Sequence, residues 1–309
     1  MNILITGASG FIGMNLIDSL KNTKHKIFCI SRKKNEDSKN ITWIKANLEN
    51  TNFSFLKNIN IDFVFFLAGQ TSVYEAKIYP EKNFKINTLS LIRLIDFLDK
   101  NHLKPFILYT STTSVYGLNN LTNNLNTVNP ITLYDVSKYS AELSLNEFIR
   151  QKKIQGCIFR LSNIIGKNTS RQKKDRGIIG KIIHKIKNNE SIEIWGNGNF
   201  SRDYLYIKDL INLFIITLSK YKKMNGQTFD VGSGKSIALK TAFSIVFKET
   251  KKYFNSTSVL KFTPFPKDAE LIEKRSTFTN IKKLKKLTGW EIKFDFNDSV
   301  KDIIESENK

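Results

Sequence analysis

The sequence predicts an α/β protein built on a doubly wound parallel sheet, and three observations predict it. The chain opens on an apolar run, Asn2-Ile3-Leu4-Ile5-Thr6, that passes directly into a glycine turn and then an amphipathic stretch, Met14 to Leu20. Apolar runs and helix-period segments then alternate as far as Leu161. One of those runs, Asp62 to Ala68, is almost continuously apolar, as in a strand covered on both faces. Such alternation makes parallel strands joined by crossover helices, with ligands at the carboxyl ends of the strands.

Taken in order, His25 to Ile30 reads as a second strand, Ile41 to Lys45 as a third and Asp62 to Ala68 as a fourth. Glu81 to Lys100 carries Phe84, Leu91, Leu94, Ile95 and Leu98 at helical spacing and reads as one helix. Pro105 to Tyr109 is the next strand, Tyr134 to Arg150 a long helix and Gly156 to Leu161 a further strand. Beyond Gly166 the rhythm loosens. A polar, basic stretch (168–176) precedes a helix from Ile178 to Lys187, a strand from Ile192 to Trp195 and a turn at Gly196-Asn197-Gly198-Asn199. The chain closes with a turn at Thr288-Gly289-Trp290 and a helix near Asp298 to Glu305. No linker marks the change of rhythm, so a smaller C-terminal lobe built from insertions is expected.

Composition narrows the class. Apolar residues make up 40% and charged residues 25%, as in a soluble globular protein, and 309 residues can bury a sizeable core. Against 28 acidic residues stand 49 basic ones, for a formal net charge of +21. The lysines are dispersed; the densest runs, Arg171 to Lys174 and Lys282 to Lys286, are short. That favours a solvated surface with an anion pocket over a nucleic-acid groove. Cys29 and Cys157 sit inside apolar runs and His25, His102 and His184 are scattered, which suggests neither a disulfide framework nor a metal site and fits a reducing cytoplasm. No leader precedes the first strand and no run of 18 apolar residues occurs, so membrane insertion is not expected.

Residues 7–13 read Gly7-Ala8-Ser9-Gly10-Phe11-Ile12-Gly13. Between a strand and a helix, such glycines permit a tight turn, close approach to a pyrophosphate and close helix–strand packing, while the helix N-terminus offers free N–H groups to the anion. Where an acid would hold an adenosine ribose, the second strand ends in Ser31-Arg32-Lys33-Lys34. Basic residues there suit a 2′-phosphate, so NADP(H) is favoured over NAD(H). Tyr134 and Lys138 lie at i and i+4 on one helical face. A cation beside a phenol favours phenolate, the state a base for an alcohol proton needs. Between these lies a hydroxyl-rich run, Tyr109-Thr110-Ser111-Thr112-Thr113-Ser114. Gly232-Ser233-Gly234-Lys235-Ser236 imitates the end of an ATP-binding loop, but Phe229 occupies the place of its first glycine.

Together with Ser111 to Gly117, Arg160 to Gly166, Trp195 to Gly198, Arg202 to Ile207, Phe229 to Lys235 and Leu287 to Trp290, these motifs run in a consistent order along nearly the whole chain. The sequence resembles the extended short-chain dehydrogenase/reductase family, in particular its NAD-dependent epimerase/dehydratase group acting on nucleotide sugars. The resemblance implies a Rossmann dinucleotide-binding domain over residues 1–165, with 204–232 returning to it, and a nucleotide-sugar lobe over 166–203 and 233–309. It makes Tyr134 the catalytic acid/base, Lys138 its partner and a contact of the nicotinamide ribose, and Thr112 the hydroxyl that meets the substrate oxygen. Gly7, Ser9, Gly10, Phe11, Ile12, Gly13, Asn47, Leu48, Leu67, Ala68 and Gly69 fall at cofactor positions. Thr112, Thr113, Asn163, Arg202 and Arg275 fall at substrate positions.

Two departures matter. Sugar 4,6-dehydratases of the family carry an acidic pair after the catalytic Thr, and here those places are Thr113 and Ser114. Dehydration is therefore not expected, which leaves a sugar C4 epimerase or a 4-keto-sugar reductase. The basic end of the second strand also replaces the acid of NAD-dependent members, and Asn47 replaces an acidic adenine contact. A homodimer in the cytoplasm is implied. The competing reading is a catalytically silent relative that binds RNA or a protein partner; the charge supports it, and the intact Thr112, Tyr134 and Lys138 oppose it.

Overall fold

In a computed structural model, the structure describes residues 1–33, 35–118, 127–167 and 177–307. Lys34, the basic run Arg171 to Lys174 and the rest of the 168–176 stretch lie outside the described residues. The chain divides into two compact units. Unit 1 comprises Met1–Val115, Pro130–Arg160 and Leu213–Phe229; unit 2 comprises Tyr116–Asn129, Leu161–Asn212 and Asp230–Lys309.

Unit 1 is organised by strands β1 (Asn2–Thr6), β2 (Lys26–Ser31), β3 (Ile41–Lys45), β4 (Phe63–Phe66), β5 (Phe106–Thr112) and β6 (Gln155–Leu161). With the strand Thr228–Val231 they form a seven-stranded sheet in the order Thr228–Val231, β6, β5, β4, β1, β2, β3. The registers Thr6↔Ile30, Thr6↔Phe66 and Phe66↔Tyr109 are parallel. All four strands therefore end at one edge of the sheet. The order reverses between β1 and β4, and a doubly wound sheet opens its ligand crevice at such a reversal.

Both faces are covered, and residue parity decides which side chain goes where. Leu4, Val64, Phe66, Ile107 and Tyr109 pack into one cluster with Leu91, Leu94 and Leu98 of the helix Ser90–Lys100 and Ala141 and Leu145 of the helix Leu133–Arg150. On the opposite face Phe65 lies 5.2 Å from Phe214 and Phe63 stacks on Phe106 at 5.4 Å, ring centre to ring centre. Every residue of β4 is buried. At roughly 1.5–3 kcal/mol per fully buried large apolar side chain, the two clusters are the main stabilising term of this unit.

One element differs from expectation. The single helix expected over Glu81 to Lys100 is interrupted: Pro80–Phe84 and Ser90–Lys100 are α-helical, but Lys85–Leu89 is a π-turn. The extra residue in that turn rotates Asn87 and Thr88 into the interior, where both are buried.

The other strands of the described residues form three two-stranded sheets in unit 2. Asn163–Ile165 pairs with Tyr204–Tyr206 in parallel, Ser201–Arg202 with Ile237–Ala238 antiparallel, and Ile192–Trp195 with Leu260–Thr263 in parallel. Helices Gly177–Lys187, Leu239–Phe254 and Phe296–Ser306 pack among them. Trp290 is fully buried and donates from Nε1 to the Asp209 carbonyl at 3.0 Å; the preceding Gly289 has φ +72°, a left-handed helix end that glycine adopts without strain.

Candidate active site

The glycine turn shows a division of labour. At Gly7, φ is +68° and a Cβ would stand 2.8 Å from the Ala68 backbone; at Gly13 a Cβ would stand 2.4 Å from the Gly7 carbonyl oxygen. Neither position admits a side chain. Gly10 has ordinary φ, and a Cβ there would approach only the Gly7 oxygen, at 3.1 Å. Helix α1 (Phe11–Leu20) begins after Gly10 with no side-chain cap and no acid in its first turn. Its first N–H groups and the positive dipole end are thus left for an anion beside Ser9, Phe11 and Ile12.

Further along the same edge, the Ser31 hydroxyl donates to the Lys33 carbonyl, while the Arg32 and Lys33 side chains are exposed. Asn47 is exposed, its Oδ1 accepting the Glu49 N–H at 3.2 Å, and Leu48 is buried. After β4, Leu67 is half-buried, and the Ala68 N–H donates to Thr6 Oγ1 at 3.2 Å. A Cβ built on Gly69 would lie 3.1 Å from Asn87 Oδ1 and 3.8 Å from Lys138 Nζ. The end of β4 therefore borders Lys138.

The helix Leu133–Arg150 starts with a capping box between Thr132 and Asp135, which sets the register of Tyr134 and Lys138. Lys138 Nζ is buried, donates to the Thr110 carbonyl at 2.6 Å and stands 4.3 Å from the centre of the Tyr109 ring. Burial pushes its ammonium down to about 7, against the pull of the Glu142 carboxylate. A lysine so placed regains its charge when an anion arrives beside it. Tyr134 is half-buried and near enough to Tyr109 that its charge helps to raise the Tyr109 phenol, after burial and Glu142.

Between Pro105 and Gly117 every residue is buried except Thr112, which is partly exposed. Thr113 is buried. Ser114 donates to Asp135 Oδ1 at 2.5 Å, so a buried carboxylate reaches the hydroxyl run from the neighbouring helix although the run itself has none.

Sequence reasoning missed three residues. Asn87 accepts from the Gln70 N–H at 2.8 Å and donates to Ser137 Oγ at 3.0 Å and Asn83 Oδ1 at 2.8 Å, tying the β4 loop to the helix Leu133–Arg150. Its signal was there: Asn87 and Thr88 interrupt an apolar stripe that runs from Phe84 to Leu98. Asp135, the buried acceptor of the Ser114 hydroxyl, is the second. Tyr204 is the third.

Tyr204 belongs to unit 2, which gathers Asn163, Arg202 and Arg275. Asn163 pairs with Tyr204 in register, and its Nδ2 donates to the Asp203 carbonyl at 3.0 Å. The buried Arg202 guanidinium donates to the carbonyls of Ser201, Glu273 and Arg275. Burial and then the nearby Arg275 bring it down to about 10. The Tyr204 hydroxyl is buried without a hydrogen-bond partner among the described residues, and burial pushes it up to about 12 against the pull of Arg202 and Arg275. Two guanidinium groups beside an orphaned hydroxyl form a site that an anion would satisfy.

The glycines at 232 and 234 do something else. The Asp203 carboxylate accepts the Ser233 N–H at 2.7 Å, Ser233 Oγ at 2.8 Å and the Gly234 N–H at 3.1 Å. An internal carboxylate fills the place a phosphate would take.

Comparison with known proteins now adds to this geometry. The sequence profile of the NAD dependent epimerase/dehydratase family matches residues 3–232. The chain belongs to that family. It is accordingly a nicotinamide-dependent enzyme. It is 27% identical over 340 aligned positions to CDP-paratose 2-epimerase of Salmonella typhi, covering 97% of each chain. It is 30% identical over 263 positions to dTDP-4-dehydro-6-deoxyglucose reductase of Escherichia coli, covering 81% of this chain and 82% of that one. The crystal structure of UDP-glucose 4-epimerase from Thermotoga maritima, solved with UDP-glucose, shares the fold, with a TM-score of 0.86 at 23% identity over 100% of this chain and 99% of that one. Among the described residues no helix is long and apolar enough to cross a membrane, and no cluster of His, Cys, Asp and Glu is arranged for a metal.

Proposed function

We propose that this protein is an NAD(P)-dependent enzyme acting at C4 of a nucleoside-diphosphate sugar, as an epimerase or as a reductase of the 4-keto sugar. The observation that carries the reading is the trio of a half-buried Tyr134, the buried Lys138 one turn on and the single accessible hydroxyl of its run, Thr112. The open N-terminus of α1 and the room at Gly10 suit a dinucleotide pyrophosphate; Ser9, Phe11, Ile12, Ala68 and Gly69 are the neighbours that would hold it. When bound, the nicotinamide supplies the acceptor or donor of hydride.

The chain's own residues do the rest. Tyr134 takes the proton from the C4 hydroxyl as its carbon is oxidised, and returns it in the reverse direction. Lys138, charged again beside a phenolate, stabilises that state and holds the ribose. Thr112 hydrogen-bonds the sugar oxygen. Within unit 2, Asn163, Arg202 and Arg275 suit a pyrophosphate, and the Tyr204 hydroxyl would find a partner in such an anion.

Exposed Arg32 and Lys33, without a carboxylate beside them in residues 31–33, favour NADP(H). Replacing Arg32 with Asp should weaken NADPH binding roughly tenfold more than NADH binding, because it removes a charge-assisted contact and adds a repelling one. Equal losses for both cofactors would remove the 2′-phosphate role. Tyr134→Phe should lower kcat by about 10²–10⁴-fold with cofactor affinity unchanged. Turnover retained by that variant would refute Tyr134 as the proton carrier.

A further inference from the structure

The hydroxyls between β5 and the catalytic helix form a chain whose direction can be read. Asp135, at 0% exposure, is reached on Oδ2 by the Thr132 N–H at 3.2 Å and the Thr132 hydroxyl at 2.7 Å, and on Oδ1 by Ser114 Oγ at 2.5 Å. A carboxylate only accepts, so the single Ser114 proton points at it. Ser114 Oγ is also 2.9 Å from Thr112 Oγ1. With its own proton committed, Ser114 can only accept there, and Thr112 must donate. The Ser114 N–H meanwhile donates to Thr112 Oγ1 at 3.1 Å. Thr112, itself partly exposed, is left with its proton turned inward, one lone pair engaged and one lone pair without a donor among the described residues.

We propose that Asp135, acting through Ser114, makes Thr112 a hydrogen-bond acceptor toward its ligand, so that the site receives an alcohol in preference to the corresponding ketone. The inference rests on the reading of Thr112 as the substrate contact. An alcohol oxygen brings a proton for the free lone pair. A carbonyl oxygen brings none, and Thr112 can meet it only by turning its own proton outward and giving up the bond to Ser114. The ketone complex bears that loss and the alcohol complex does not. Of the two directions left open above, the arrangement suits the enzyme whose resting ligand is the hydroxyl sugar: an epimerase, in which the ketone exists only between two hydride transfers. Asp135 and Ser114 are positioning residues in this scheme; neither needs to touch the sugar.

The test compares two ligands on cofactor-saturated protein by calorimetry: UDP-glucose with the oxidised nicotinamide and UDP-4-keto-6-deoxyglucose with the reduced one. The unsubstituted protein should bind the alcohol more tightly. Ser114→Ala frees the Thr112 proton and should move the alcohol-to-ketone affinity ratio about tenfold toward the ketone, the equivalent of one hydrogen bond. Asp135→Asn should move it the same way, because a carboxamide can donate to Ser114 as well as accept from it. Thr217→Ala removes a buried hydrogen bond to the Leu213 carbonyl in another helix and should lower stability without moving the ratio, which separates positioning from folding. An unchanged ratio in Ser114→Ala overturns the relay while leaving the enzyme reading intact. Failure of the unsubstituted protein to bind either sugar overturns the substrate reading and the relay with it.

Discussion

Two glycine turns follow strands in this molecule, residues 7–13 in unit 1 and 232–234 in unit 2, and they end in opposite states. The second is closed: the Asp203 carboxylate takes both N–H groups of the turn and the Ser233 hydroxyl. The first is open, with an uncapped helix and no acid in its first turn. The same contrast holds for two buried charges, one in each unit. Asp203 has its donors, whereas the Lys138 ammonium, with three protons to give, meets one carbonyl and an aromatic face among the described residues. Polar groups that satisfy one another belong to the scaffold. Those left short of partners mark where a ligand completes the structure.

The sharpest way to break this comparison is at Gly13. A methyl group there meets the Gly7 carbonyl at 2.4 Å and Ala8 Cα at 2.8 Å, all backbone. Gly13→Ala should therefore cost about 3 kcal/mol or prevent folding, read by urea denaturation. A loss under about 1 kcal/mol would show that the open turn has slack.

Next in size is Lys138, and its effect depends on pH. Its ammonium titrates near 7 in the folded chain against 10.5 in the unfolded one. Between those values the unfolded chain binds the extra proton, so Lys138 makes stability rise with pH through that window, by up to a few kcal/mol. Lys138→Met should flatten the rise in cofactor-free protein. A slope unchanged by that substitution would place the titration elsewhere.

The smallest effect belongs to the closed turn. Asp203→Ala strands two N–H groups and a hydroxyl and should cost about 2 kcal/mol, with cofactor affinity unchanged. Cofactor loss comparable to that of a change in the first turn would erase the distinction drawn between them.

The parts legible in the sequence are those set by local periodicity and by side-chain size. Alternating runs announced the sheet, and the glycine at 13 announced a contact too close for any Cβ. The hydrogen-bond partners were not legible, because they join residues far apart in the chain. Ser114 meets a carboxylate 21 residues away and Tyr116 donates to Asp230, 114 residues on. The acids missing after Thr112 made the run look uncharged, yet a carboxylate arrives from the next helix. The π-turn at Lys85–Leu89 was hidden for a related reason: a helical pattern does not show an extra residue until packing decides which side chains must face inward.

By itself, then, the sequence determined the α/β class and the glycine cradle, because strand and helix periods and the absence of a Cβ act over a few residues, while Thr112, Tyr134 and Lys138 were singled out by their place in the family's motifs. Tertiary structure decided which of two glycine turns stays open, that burial draws the Lys138 ammonium down to about 7, and that Ser114 joins Thr112 to the Asp135 carboxylate. Those outcomes depend on burial and on carboxylates brought from elsewhere in the chain, and no local pattern carries either.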